Sequence, residues 1–133
     1  MEGGFRALTV DDWTGRTVLP LRSALARSTA QLSRDLRVRA VAVRTRSGIS
    51  AVMVSATRPA APIVALATDP AVCRRMNLLW GVVPRRISEE DFERSGEAAR
   101  REVKELRLAE EGQVILKLAG FGQNEPSVTV LTV

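Results

Sequence analysis

The stretch that decides the fold runs Val38-Arg39-Ala40-Val41-Ala42-Val43-Arg44-Thr45-Arg46-Ser47-Gly48-Ile49-Ser50. Its first half, Val38 to Val43, is short, rich in β-branched residues and almost uncharged, which reads as a strand buried on both faces. From Ile49 to Thr57 the pattern changes to helix, and Arg58-Pro59 stops it, because the residue before a proline is pushed out of helical geometry. A buried strand that passes through a tight Ser-Gly turn straight into a helix is the opening of a βαβ unit.

The chain repeats this arrangement in both directions. Upstream, Leu21, Leu25, Leu32 and Leu36 fall at helical spacing between Val18 and Leu36, with Thr17 as N-cap and Pro20 in the first turn. Downstream, Ile63 to Ala67 is a second buried strand. Thr68-Asp69-Pro70 then starts a helix expected to reach Trp80, with Cys73, Met76 and Trp80 on it as core or interface residues. Gly81 ends that helix and Val82-Val83-Pro84 is a third strand. Ser88 and Asp91 approximate a capping box, opening a charged helix from Glu89 to about Leu108 with an apolar stripe of Phe92, Ala99, Val103 and Leu106 and a possible break at Gly96. Gln113 to Ala119 and Ser127 to Val133 are the last strands, joined through Gly120, Gly122 and Pro126, either as a hairpin or with separate partners. The order α-β-α-β-α-β-α-β-β implies a mostly parallel sheet with helices on both faces.

A length of 133 residues suits one domain with its own core. No apolar run approaches the roughly 20 residues that span a bilayer, and the first residues lack the pattern of a signal peptide, so a cytoplasmic protein with no membrane partner is expected. Cys73 is the one cysteine and histidine is absent. Intrachain disulfides, multi-cysteine zinc sites and histidine-based triads are thereby excluded. Between Arg16 and Arg86 thirteen arginines stand against Asp35 and Asp69, a local charge of +11, whereas Ile87 to Val133 carries −4. Such a field favours an anionic partner, a phosphorylated metabolite or a nucleic acid. Aromatic residues at 4% and the lack of tyrosine weigh against nucleic acid.

Ligands in open α/β sheets sit beyond the carboxyl ends of the strands, and a helix N-terminus offers unpaired N–H groups to an anion. The turn after the first strand therefore supplies the candidate site: Thr45, Arg46, Ser47, Gly48, Ile49 and Ser50. Here the hydroxyls donate, Arg46 adds a charged fork and Gly48 admits close approach. The plain alternative is a structural Ser-Gly turn with serine caps. Glu89, Glu90, Asp91 and Glu93 read better as favourable charge at a helix start than as a metal site. Lys117 reads as lying on an exposed strand face, Arg85 and Arg86 as solvated, and Arg58 as anchoring its turn through backbone carbonyls. No catalytic residue, metal or cofactor is expected.

Thr45-x-Ser47-Gly48-x-Ser50, Ala51, Ser55, Arg58-Pro59, Pro62-Ile63-Val64-Ala65, Arg74, Leu78 and Trp80-Gly81-Val82-x-Pro84 together resemble the C-terminal domain of pyruvate kinase, and Leu36-x-Val38-x-Ala40-Val41 fits it too. The resemblance covers roughly residues 18 to 120. It implies a three-layer α/β/α fold with a five-stranded mixed sheet, order 3-2-1-4-5 and strand 5 antiparallel, as one domain over residues 1–133 with 1–16 as an extension. It also implies that the turn binds the phosphate of a sugar-phosphate effector, or phosphate or sulfate itself. Departures bear on the effector. The loop Gly120 to Pro126 is shorter than in members regulated by fructose bisphosphate, and Phe92 and Arg94 match only approximately the residues that reach a second phosphate there. The catalytic barrel of pyruvate kinase is absent from this sequence. The resemblance therefore implies a regulatory domain, on its own or as part of a pyruvate kinase that converts phosphoenolpyruvate and ADP to pyruvate and ATP; a nucleic-acid module and a small carboxylate enzyme are the other readings. It further implies a homodimer through the uncharged edge Ser127 to Val133.

Overall fold

Five strands hydrogen-bond side by side in a computed structural model that describes residues 18–121 and 126–133. They are β1 (Val41–Arg44), β2 (Ile63–Ala67), β3 (Val82–Arg86), β4 (Val114–Ala119) and β5 (Ser127–Thr132), in the order β3-β2-β1-β4-β5. The β1–β2, β1–β4 and β2–β3 pairs are parallel, and β4–β5 is antiparallel. In register, Val41 lies beside Ile63 on one side and Leu116 on the other. The strand order thus reverses at β1, the strand that leads into the Thr45 turn. Thr17 and the extension 1–16 lie outside the described residues, as do positions 122–125 of the connection into β5.

Alternation along the strands sends successive side chains to two cores. Ala40, Ala42, Val64, Leu66 and Ile115 face α4 (Glu89–Glu93) and α5 (Ser95–Glu105), packing on Phe92, Ala98, Ala99 and Val103. On the opposite face Val41, Val43, Ile63, Leu116 and Leu118 pack on Ala26 of α1 (Val18–Asp35) and Val54 of α2 (Ile49–Ala56). Ala65 and Ala67 meet Val72 and Met76 of α3 (Pro70–Met76) on that same side. Every residue of β2 is buried, which is why its sequence is an unbroken apolar run. The three-layer architecture and the sheet order agree with what the resemblance implied.

Helix ends depart from the sequence expectations. α3 stops at Met76, not near Trp80. The chain then turns through Leu78, 90% exposed, to Gly81 at φ +68. Ser55 Oγ donates to the Trp80 carbonyl at 2.7 Å, holding this turn against α2. Met76 is buried, Cys73 is partly buried, and the Trp80 ring stacks under the Arg58 guanidinium at 4.5 Å. Arg58 therefore braces this corner through its side chain and the indole rather than through backbone carbonyls. The charged helix is two helices that break at Arg94 (φ −109, ψ 52), two residues before Gly96. The Phe92 carbonyl, which a continuous helix would offer to the Gly96 amide, accepts from Arg44 Nη1 at 3.0 Å. Asp69 and Ser88 cap as expected, accepting from the Ala71 and Asp91 amides at 2.8 and 3.0 Å.

Candidate functional site

The Thr45 turn is built from its own polar groups. The Gly48 amide donates to Thr45 Oγ1 at 2.9 Å, and the Ile49 amide reaches Ser47 Oγ at 3.4 Å. Gly48 is at φ +96, in the left-handed region that glycine enters without steric cost. A Cβ there would face Met76 Cγ and Val72 Cγ1, both at 3.5 Å, so the missing side chain serves the backbone conformation and the seam with α3.

Thr45, Arg46, Ser47, Ile49 and Ser50 line one cleft of about 360 Å³. Arg22, Arg44, Phe92, Gly120 and Phe121 complete its wall. Ser50 is only 5% exposed, yet its hydroxyl makes no hydrogen bond among the described residues. The amides of Ser50 and Ala51 are also without partners there, since the first backbone bond of α2 runs from Val52 to the Gly48 carbonyl at 3.0 Å. One hydroxyl and two N–H groups at the positive end of a helix are a donor set for an oxyanion. Thr45 Oγ1, an acceptor toward Gly48, keeps its own proton to donate.

Arg46 is placed differently from the sequence expectation. Its Nη1 donates to both carboxylate oxygens of Glu89, at 2.8 and 3.0 Å, and approaches Thr68 Oγ1 at 3.3 Å. The guanidinium carbon sits 3.7 Å from the Phe92 ring centroid, and that of Arg44 sits 4.7 Å away. The hydrogen bond from Arg46, followed by that from Thr68, holds the Glu89 carboxyl below the ordinary carboxylate range. One nitrogen of the Arg46 fork is thus engaged by a carboxylate, and its other N–H groups remain to be offered.

Two of the other charged candidates, Asp91 and Arg85, form ion pairs. Asp91 accepts from Arg101 Nη2 at 2.9 Å, and Glu89 serves Arg46, so half of the acidic quartet is spent on arginine. Arg85, expected to be solvated, donates to the buried Glu102 at 2.6 Å and to Glu105 at 3.0 Å. Lys117 is partly buried, not exposed, and burial followed by the charges of Arg44 and Arg100 lowers its pKa. Among the described residues no group of three or more His, Cys, Asp or Glu side chains is placed to hold a metal ion, and no helix is long and apolar enough to cross a membrane.

Arg44, Arg22 and Phe121 are the wall residues that sequence reasoning missed. Arg44 closes β1 immediately before the turn, and a charged residue ending an otherwise apolar strand is a usable signal. Arg22 and Phe121 arrive from distant elements and carry no local sign of their role.

Comparison with known proteins matches residues 23–131 to the family described as "Pyruvate kinase, alpha/beta domain". Pyruvate kinase of Agrobacterium vitis is 37% identical over 99 residues, covering 74% of this chain and 20% of the relative. Pyruvate kinase of Lactobacillus delbrueckii subsp. bulgaricus is 32% identical over 104 residues, covering 76% of this chain and 18% of its own length. Among solved structures, Cryptosporidium parvum pyruvate kinase in complex with ADP superposes with a TM-score of 0.71 at 23% identity, over 84% of this chain and 23% of that one. The chain spans about a fifth of the length of these relatives. Taken with the sheet order β3-β2-β1-β4-β5, the match shows that this chain belongs to the pyruvate kinase alpha/beta domain family.

Proposed function

We propose that this chain is the non-catalytic regulatory and assembly domain of a pyruvate kinase, binding a phosphate-bearing small metabolite at Thr45 to Ser50. Chemistry on phosphoenolpyruvate and ADP would reside in parts of the relatives that this chain does not match. The observation that carries the ligand is the Ser50 hydroxyl, which opens on the cleft without a hydrogen bond among the described residues, beside the Ser50 and Ala51 amides that likewise have no partner there. An oxyanion arriving there accepts from all three at once. Family membership supports the setting. A cytoplasmic location and a homodimer through β5 are part of the same proposal.

Backbone amide resonances test it locally. Inorganic phosphate and sugar phosphates are expected to shift the Ser50 and Ala51 amides, and to raise the melting temperature with ligand concentration. Ser47→Asp, which puts a carboxylate at the turn, is expected to abolish the shift of those two amides. If they do not move with any phosphate compound, or move only with a single-stranded oligonucleotide, the reading is wrong.

A further inference from the structure

α2 reads Ile49-Ser50-Ala51-Val52-Met53-Val54-Ser55-Ala56, without a charged residue on any side. A helix that is apolar all round belongs in an interior, covered on every face. Among the described residues only one face of α2 is covered. Ala51 and Val54 are fully buried toward the sheet, whereas Val52 is 49% exposed. Val52, Met53 and Ala56 form one wall of a groove of about 780 Å³, and α1 forms the other. The small, buried side chains of Ala26 and Ala30 leave the room, and the exposed Arg27 and Arg34 also line it. Two arginines and no carboxylate give this lining a charge of +2. Arg34 Nη2 donates to Gln31 Oε1 at 3.0 Å, and Arg27 makes no hydrogen bond or ion pair among the described residues. The groove shares no residue with the cleft at Thr45.

An occupant that fits must be both apolar and acidic, and the chain itself carries such a segment. Leu8-Thr9-Val10-Asp11-Asp12-Trp13 combines three large apolar side chains with two carboxylates and no cation. Only Thr14-Gly15-Arg16-Thr17 separates it from Val18, where α1 begins, and Gly15 suits a reversal of the chain. The lengths agree. From Val18 to Ser23, the first residue of the groove, α1 rises about 7.5 Å, and four linking residues span up to about 13 Å. From Ser23 to Arg34 the groove follows about 16.5 Å of α1, the span of the five extended steps from Leu8 to Trp13. So short a tether also keeps the segment at a local concentration of about millimolar, which favours it over the same segment of another molecule.

We propose that Leu8 to Trp13 folds back along the α1–α2 groove of its own chain, seating Val10 and Trp13 on Val52 and Met53 and pairing Asp11 and Asp12 with Arg27 and Arg34. The two carboxylates offset the +2 of the groove, and the apolar side chains cover the face of α2 that its sequence leaves without polar groups. The groove is then an intramolecular docking surface, and the residues before α1 are its ligand.

Trp13 and Trp80 are the two tryptophans of the chain, so NMR of the full chain gives two indole signals, and that of Trp80, stacked on Arg58, is the reference for an intact fold. Nuclear Overhauser contacts are expected between the Trp13 ring and the methyl groups of Val52 and Met53. Arg27→Glu combined with Arg34→Glu, both at exposed positions, is expected to abolish these contacts and leave the Trp80 signal in place. Adding Asp11→Arg and Asp12→Arg is expected to restore them, since the charges are then exchanged across the groove. A mixture of one chain labelled at tryptophan with another labelled at its methyl groups separates the two sources of the segment. Contacts seen between the two chains would make the occupant a second copy and overturn the proposal. A wild-type chain without contacts at Trp13 overturns it as well, leaving the groove to another protein. Contacts that ignore Arg27→Glu with Arg34→Glu, or that stay lost after the charge exchange, would sink the ion pairing and with it the proposed placement.

Discussion

Arg46 carries the tension in the turn. Its charge suits an anionic ligand, yet it is bonded to Glu89 with both partners more than half exposed. Exposed ion pairs contribute little to stability, so the pair is a modest competitor and not a lock. Glu89→Gln is therefore expected to tighten phosphate binding at the turn by roughly two- to fivefold, measured by titrating the Ser50 amide. Weaker binding in this variant would mean that Glu89 positions Arg46 for the ligand instead of withholding it. Because Arg46 depresses the Glu89 pKa, the ion pair's contribution is full above the unfolded-state carboxylate pKa and is lost as pH falls through the lower folded value. The variant's advantage should accordingly persist through neutral and mildly acidic pH and vanish only in stronger acid. The position of the turn was legible from Thr45 to Ser50 alone, since strand, Ser-Gly turn and helix are local signals. Glu89 was not, because its meeting with Arg46 bridges 43 residues and depends on how α4 docks.

Two glycines show how local geometry divides elements. Gly48 sits at φ +96, and its Cβ neighbours in α3 lie at ordinary contact distance, so the strain of Gly48→Ala would come from the backbone and not from crowding. The expected cost is about 1–2 kcal/mol in urea unfolding. Gly96 lies inside α5, and a Cβ there would meet only Arg100 Nη1 at 3.9 Å and Leu131 Cδ1 at 4.0 Å. Gly96→Ala should instead stabilise by about 0.5–1 kcal/mol. Opposite signs from one chemical change check both assignments, and a destabilising Gly96→Ala would put the break at that residue after all. Sequence located every strand, though β1 begins at Val41 and not at Val38, because β2 is a continuous apolar run and β1 and β4 are broken only by Arg44 and Lys117; it misplaced two helix ends. At Arg94 and after Met76 the deciding contacts are tertiary: Arg44 on the Phe92 carbonyl, and Ser55 on the Trp80 carbonyl. Propensity does not contain such contacts.

The two edges of the sheet are unlike each other, and the difference bears on assembly. β3 ends one side with Pro84, Arg85 and Arg86, residues that discourage another strand from adding. β5 ends the other side with no charged residue from Ser127 to Val133, and Val130 is 53% exposed. The residues alone left open whether the last two strands pair with each other; their antiparallel contact and the insertion of β4 beside β1 are long-range facts that only the family resemblance anticipated. An unguarded antiparallel edge is self-complementary under a two-fold rotation, which would set β5 against its own copy and extend the sheet in the proposed dimer. In sedimentation the chain is expected to run as a dimer whose population falls on dilution. Val130→Lys sets like charges near the two-fold axis, where opposed strands place their side chains within about 5.5 Å, and should shift the mass to that of a monomer. Unchanged circular dichroism would show that the fold survives the change. A wild-type chain that remains monomeric at all concentrations removes the dimer from the proposal, and a dimer indifferent to Val130→Lys moves its interface away from β5.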